Sequence, residues 1–185
     1  MRATALMLLA GFGVHGSVLA AESWQIHHDD SHLRFLATQQ GGEFEGHFGE
    51  FTADIRFSPD DLDASGFDVV IDVTSVDTGS RQRDRELPTD EWFFFEEYAE
   101  ATYQAETVRA TDDGFEAVGD LTIRDHTREV VLSFDWEADG DRASMSGEAV
   151  IDRTEFGVGQ GEWEDPSAVG HEVRVLVGLE LSRER

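Results

Sequence analysis

From Ser23 onward, hydrophobic and polar positions alternate with a period of two, broken at regular intervals by turn residues. Successive side chains on a strand point to opposite faces, so this pattern predicts half-buried β-strands. Leu33 and Phe35 share one face, with His32 and Arg34 on the other. Phe44, Gly46 and Phe48 repeat the pattern after Gly41-Gly42, and Ile55 and Phe57 follow, ending at Ser58-Pro59-Asp60-Asp61. Phe67, Val69, Ile71 and Val73 alternate against Asp68 and Asp72. Tyr103, Ala105 and Thr107 lead into an Asp112-Asp113-Gly114 hairpin signal, beyond which Phe115, Ala117, Gly119, Leu121 and Ile123 share a face. Val130, Leu132, Phe134 and Trp136 come next, then Asp139-Gly140, Met145, Gly147, Ala149 and Ile151. The last run places Val173, Val175, Val177, Leu179 and Leu181 on one side.

No long amphipathic helix, internal repeat or linker interrupts this series. Many strands with one apolar face and no crossover helices predict an all-β, antiparallel sheet, either a closed barrel or a sandwich. Closure removes exposed edges, and eight strands leave room for one small ligand. Glycines inside strands, Gly46, Gly119 and Gly147, mark bends or close approach. Periodicity alone does not separate barrel from sandwich.

The stretch from Ile71 to Phe95 departs from the pattern. A strand gives way to Thr78-Gly79-Ser80-Arg81-Gln82-Arg83-Asp84-Arg85, then to Pro88-Thr89-Asp90 and the aromatic run Trp92–Phe95. It reads as a short, partly aromatic helical insertion around Arg83 to Tyr98 that lids the strands. Ser75-x-x-Thr78, Arg83-Asp84-x-x-Leu87 and the aromatic run resemble the central signature of the YceI family, periplasmic lipocalin-like barrels that bind polyisoprenoid chains. Ser31-x-x-x-Phe35, Gly46-x-Phe48, Phe57-x-Pro59, Gly119-Asp120-Leu121-Thr122-Ile123 and Arg153-x-x-Phe156-Gly157 are similar to the family's other motifs, in its order. Asp125-His126-Thr127-Arg128-Glu129 and Tyr98-Ala99-Glu100-Ala101-Thr102 depart from the family in two turns.

The resemblance implies a lipocalin-like barrel of about eight strands spanning 21–185. It also implies an isoprenoid lipid, a polyprenyl chain or quinone tail, held inside as carrier or store. On that reading Leu33, Phe35, Phe44, Phe48, Ile55, Val69, Ile71, Tyr103, Leu121, Leu132, Phe134 and Met145 face the ligand. Arg83, Asp84, Trp92 and Phe94 form the polar rim and lid. The residues themselves leave a packed core without ligand open, since aromatic faces commonly fill solid cores. An exported enzyme acting on a small hydrophobe, with His47 or Tyr103 as acid or base, is the other alternative.

Composition narrows the chemistry. The 185 residues suit one domain with a proper core, 39% being hydrophobic with 13 Phe. Without cysteine there is neither a disulfide nor a thiolate metal site. Residues 1–20 read as a signal peptide: a charged start, an apolar run from Ala3 to Val14, and Val18-Leu19-Ala20 before cleavage. Export to the periplasm follows. The net charge is −26, and all basic residues are Arg. Such a surface repels nucleic acid and becomes tolerable where salt screens it, so it suits a saline medium.

The remaining candidates are weak. His27, His28 and His32 lie close in sequence, but strand geometry and Asp29-Asp30 scatter them, and they read as solvated side chains. Asp60-Asp61-Leu62-Asp63 lacks the glycine and glutamate of a calcium loop. No nucleophile elbow, P-loop or dinucleotide fingerprint is found. Gly157-Val158-Gly159-Gln160-Gly161 reads as a flexible connection near the barrel mouth. Arg83 and Asp84 read as a mutual ion pair pinning the loop, or as a hold on a ligand's head. The sequence requires no catalytic residue, metal or cofactor, and leaves a homodimer open.

Overall fold

The alternating runs become strands wherever one face finds a wall to pack against. The computed structural model describes residues 21–184, and the expected leader over 1–20 lies outside them. In chain order the strands are β1 (Ser23–Ile26), β2 (His32–Gln39), β3 (Gly42–Phe48), β4 (Phe51–Arg56), β5 (Gly66–Asp72) and β6 (Val76–Asp77). After helix α1 (Arg81–Glu86) come β7 (Glu100–Thr111), β8 (Gly114–Ile123), β9 (His126–Asp139), β10 (Arg142–Asp152) and β11 (Glu172–Arg183).

All pairings are antiparallel, and the sheet closes through β1-β4-β5-β7-β8-β9-β10-β11 and back to β1. This eight-strand ring is a lipocalin-like barrel, not a sandwich. Closure is uneven along its axis. Strand β1 seals one end, pairing Trp24 with Arg183 and Ile26 with Leu181. A 3-10 turn at His28–Asp30 then interrupts the chain where Asp29-Asp30 was expected to break it. Beyond it β2 takes over the same edge of β11, from His32 opposite Gly178 to Leu36 opposite Arg174, with β3 and β6 following outward.

At the end sealed by β1 the interior is solid. The Phe57 ring lies 4.6 Å from Trp136, 5.1 Å from Phe115 and 5.3 Å from Phe134, between centroids. Phe57 is 0% and Leu181 2% exposed. Trp24 adds its indole, edge-on to Trp136 and donating to the Phe57 carbonyl at 2.9 Å. Offset and edge-on rings interlock without voids, each pair adding about 0.5–1.5 kcal/mol beyond burial.

One expected face is corrected. The register between β7 and β8 shifts between Ala105 and Thr107, a β-bulge that reverses the parity downstream. Val108 therefore takes the buried position and Thr107 turns outward. Gly119 sits opposite the bulge, where a Cβ would lie 2.4 Å from the Gln104 carbonyl oxygen, so no larger residue fits without displacing backbone. Gly46 has a different reason: a Cβ there would lie 2.3 Å from the ring of Phe35, which lies across it.

Candidate functional site

Toward the other end the same inward faces do not meet. They enclose a cavity of about 250 Å³, apolar along its walls. From β2 and β3 it is lined by Leu33, Phe35, Phe44 and Phe48, and from β4 and β5 by Ile55, Val69 and Ile71. Tyr103, Leu121, Leu132 and Met145 line it from β7 to β10. Phe134 does not reach it. Its ring lies 5.5 Å from Phe67 and stacks on Phe115, inside the solid end.

The open end carries the polar lining, with Gln39 at the end of β2, Thr78 before α1, Gln82, Arg83 and Glu86 on α1, and Arg153 after β10 all bordering the cavity. Helix α1 does not hold an Arg83–Asp84 pair. Adjacent helical residues project about 100° apart and do not face each other. Both instead converge on buried Thr78. Asp84 accepts from the Thr78 backbone N–H at 3.0 Å and its hydroxyl at 2.7 Å. Arg83 donates to the Thr78 carbonyl at 2.9 Å and to its Oγ1 at 3.1 Å. The guanidinium also reaches Gln39 Oε1 at 3.3 Å and lies 4.0 Å over the ring of Phe44, fastening α1 to the β2–β3 hairpin. Asp84 thus anchors the loop without lining the cavity.

Arg83→Ala removes this fastening, worth about 1–3 kcal/mol for charged hydrogen bonds and ring contact together. Amide exchange across residues 79–98 should rise about tenfold or more, while β7 to β11 keep their protection. Equal loss of protection in those strands would show that Arg83 supports the barrel as a whole, and the latch would be discarded.

The aromatic run is not a helix. Pro88 and Thr89 end α1, the Trp92 N–H bonds back to the Thr89 carbonyl at 3.1 Å, and Phe94 adopts φ +55. These turns aim each ring differently. Trp92 and Phe93 line the cavity, Phe93 meeting Phe48 at 6.3 Å. Phe94 packs away from it on Tyr98, at 6.1 Å. Of the expected lid aromatics, Trp92 is at the cavity and Phe94 is not; Phe93 takes that place.

Arg153 is the site residue that sequence reasoning missed as such. It is 4% exposed, yet borders the cavity. Its guanidinium donates to five backbone carbonyls: Gly170 at 2.9 Å, Val158 at 2.7 Å, Gly159 at 2.9 Å, Val169 at 2.7 Å, and Trp163. Burial pushes its pKa down, opposed by Asp152 and Glu164. The Gly157–Gly161 segment is thereby tied rather than loose. Gly159, at φ +77, leaves room for Arg153, since a Cβ there would lie 2.0 Å from Nη1. Arg124 adds a second tie, donating to the Asp90, Trp92 and Gly157 carbonyls. The only signal was Arg153-x-x-Phe156-Gly157, legible as a motif but silent on what the arginine holds.

The candidate acids and bases sit poorly for chemistry in the cavity. Tyr103 turns its hydroxyl into the wall, 2.9 Å from the Ala117 carbonyl and 3.2 Å from that of Val130, and burial raises its pKa. His47 is exposed on the outer side of β3. The ring of His28 is edge-on to Phe51 at 5.5 Å, while His32 covers Gly178 and contacts Arg34 at 2.7 Å. Among the described residues no three metal-ligating side chains converge.

Comparison with known proteins agrees with this architecture. The profile of the YceI-like domain matches residues 24–181. Protein YceI of Escherichia coli is 27% identical over 141 residues, covering 73% of this chain and 72% of the relative. The crystal structure of Burkholderia cenocepacia BcnA superposes with a TM-score of 0.79 at 27% identity, over 84% of this chain and 99% of that one. A polyisoprenoid binding domain from Saccharophagus degradans shares the fold with a TM-score of 0.67 at 15% identity, over 90% of this chain and all of its own. A profile match across nearly every strand, on a barrel of the same architecture, shows that the chain belongs to the YceI-like domain family.

Proposed function

We propose that the barrel binds an isoprenoid lipid, a polyprenyl chain or the tail of a quinone, and carries or stores it in the periplasm. The observation that carries this reading is a cavity of about 250 Å³ whose walls are apolar, whose one end is solid and whose other end bears polar side chains. An apolar tail gains about 0.8 kcal/mol per buried CH₂, less the cost of ordering it. The polar end is where a head group would remain. A packed structural domain would fill this volume with side chains, as the chain does below Phe134. An enzymatic reading loses support from the placement of Tyr103 and His47. The Saccharophagus degradans domain, described as polyisoprenoid binding, lends the reading its ligand class.

Mass spectrometry of lipid extracted from the purified, exported protein tests the proposal. An isoprenoid in stoichiometric amount is expected. Protein that carries no such lipid, and takes up none when titrated with a prenyl quinone, would end the carrier reading. Size-exclusion chromatography with light scattering of the same sample decides between a monomer and a homodimer.

The charge of −26 supports a second part of the proposal, adaptation to a saline periplasm. Screening shortens the Debye length to about 3 Å near 1 M salt. Thermal unfolding should therefore shift upward from low to molar NaCl, most steeply at the low end. Sulfate matched in ionic strength separates screening from salting-out. An unchanged melting temperature throughout the NaCl series would refute haloadaptation.

A further inference from the structure

We infer that the aromatic block below the cavity is a floor that sets how long an isoprenoid tail the barrel accepts. This rests on the lipid reading above and adds a specificity to it. It follows from the level at which inward side chains stop facing open space. Along β4 and its continuation, Phe51, Ala53 and Ile55 line the cavity, but the next inward residue, Phe57, does not. Along β9, Val130 and Leu132 line it, while Phe134 and Trp136 do not. Along β11 the lining ends at Leu179, and Leu181 is buried beyond it. Three separate walls thus change from lining to solid packing without any change in their alternation.

The block beneath is continuous. Phe57 is fully buried and contacts Phe115, Phe134 and Trp136 at 4.6–5.3 Å between ring centroids, and it lies 6.3 Å from Phe67, whose ring borders the cavity from above the block. Rings in such close contact, in an interior packed as protein cores are, leave no passage for a chain. A tail entering from the α1 end therefore runs to Met145 and Leu179 and stops. Isoprene units beyond that depth stay at the mouth, beside Gln82, Arg83 and Glu86, where an apolar group gains little. The cavity discriminates by length because the gain per unit ends at a fixed depth.

Prenyl alcohols whose tails grow one isoprene unit at a time test this, titrated into the lipid-stripped full domain against a displaceable fluorescent probe. Affinity should tighten about tenfold or more per unit and then stop improving at one length. Met145→Ala lowers the floor and should move the break to a longer tail. Met145→Phe raises it and should move the break to a shorter one, a result readable even if Met145→Ala proves too unstable. Phe134→Leu, which thins the block, should act like Met145→Ala. Affinity that keeps rising through the longest tail, or a break at one length in every folded variant, overturns the floor while leaving lipid binding intact. Failure of every prenyl alcohol to bind at any length overturns the lipid reading, and the floor with it.

Discussion

Replacing Arg153 by methionine should destabilise the barrel by about 3–5 kcal/mol, because several buried carbonyls lose their donor together and each unsatisfied one costs about 1–3 kcal/mol at most. For a domain of this size that corresponds to a fall in melting temperature on the order of 10 °C. The cause is specific. Five carbonyls, of Val158, Gly159, Trp163, Val169 and Gly170, direct their oxygens at one guanidinium. Methionine fills the volume but donates nothing, so each buried carbonyl loses a partner. Arg153→Lys keeps the charge but replaces five fixed N–H donors with three from one nitrogen, and should fall between. Denaturant unfolding of the three proteins checks the order, with hydrogen exchange reporting the first losses in residues 157–170. A change under about 1 kcal/mol in the methionine variant would contradict the role assigned to Arg153.

Phe35→Asp should cost isoprenoid affinity on the order of a hundredfold or more while leaving the barrel folded. Phe35 lies across Gly46 and between Phe44 and Phe48, whose ring centroids are 6.4 and 5.6 Å away. An aspartate here removes ring contact and places a carboxylate against an apolar wall. Burial of that kind raises a carboxyl's pKa, so the neutral form returns as pH falls. Binding should then recover in part toward acid pH. In a solid core the same charge would have no water to reach, and the protein would not fold. Val150→Asp is the control, since Val150 lies on the outer surface at 52% exposure and should change neither property. Lipid retained by a folded Phe35→Asp protein would exclude this wall as the binding surface.

The faces of nearly every strand were legible because a strand's side chains alternate whatever lies opposite. Leu33 with Phe35, Phe44 with Phe48, and the β11 valines all took the side their spacing indicated. The failure at Thr107 has a cause of the same kind. A bulge adds one residue to β7 but not to β8, and only the pairing of the two strands reveals the addition. The separation of barrel from sandwich likewise needed contacts distant in sequence, above all Trp24 pairing with both Ile55 of β4 and Arg183 of β11.

The site was legible in outline, through motifs rather than spacing. Of the central signature, Thr78, Arg83 and Trp92 border the cavity while Asp84 and Phe94 do not, and what these residues hold followed from three-dimensional placement. Arg83 and Asp84 are sequence neighbours that never meet, because a helix turns them apart onto a shared partner, Thr78. Phe93 rather than Phe94 faces the cavity, since Phe94 adopts a left-handed backbone conformation and packs its ring on Tyr98.

By itself the sequence determined that the chain is all-β, that one face of each strand is apolar, and that the surface is strongly acidic. These follow from local alternation and from composition, which need no knowledge of distant residues. Only the tertiary structure decided where the interior is empty. Leu132 and Phe134 have the same parity on the same strand, yet one borders a cavity and the other is locked among rings. The difference lies in how near the opposite wall comes, which depends on closure by β1 and on the rings of Phe57, Phe67 and Phe115 arriving from elsewhere in the chain. Distance across a barrel is a property of all its strands together, and no periodicity within one strand records it.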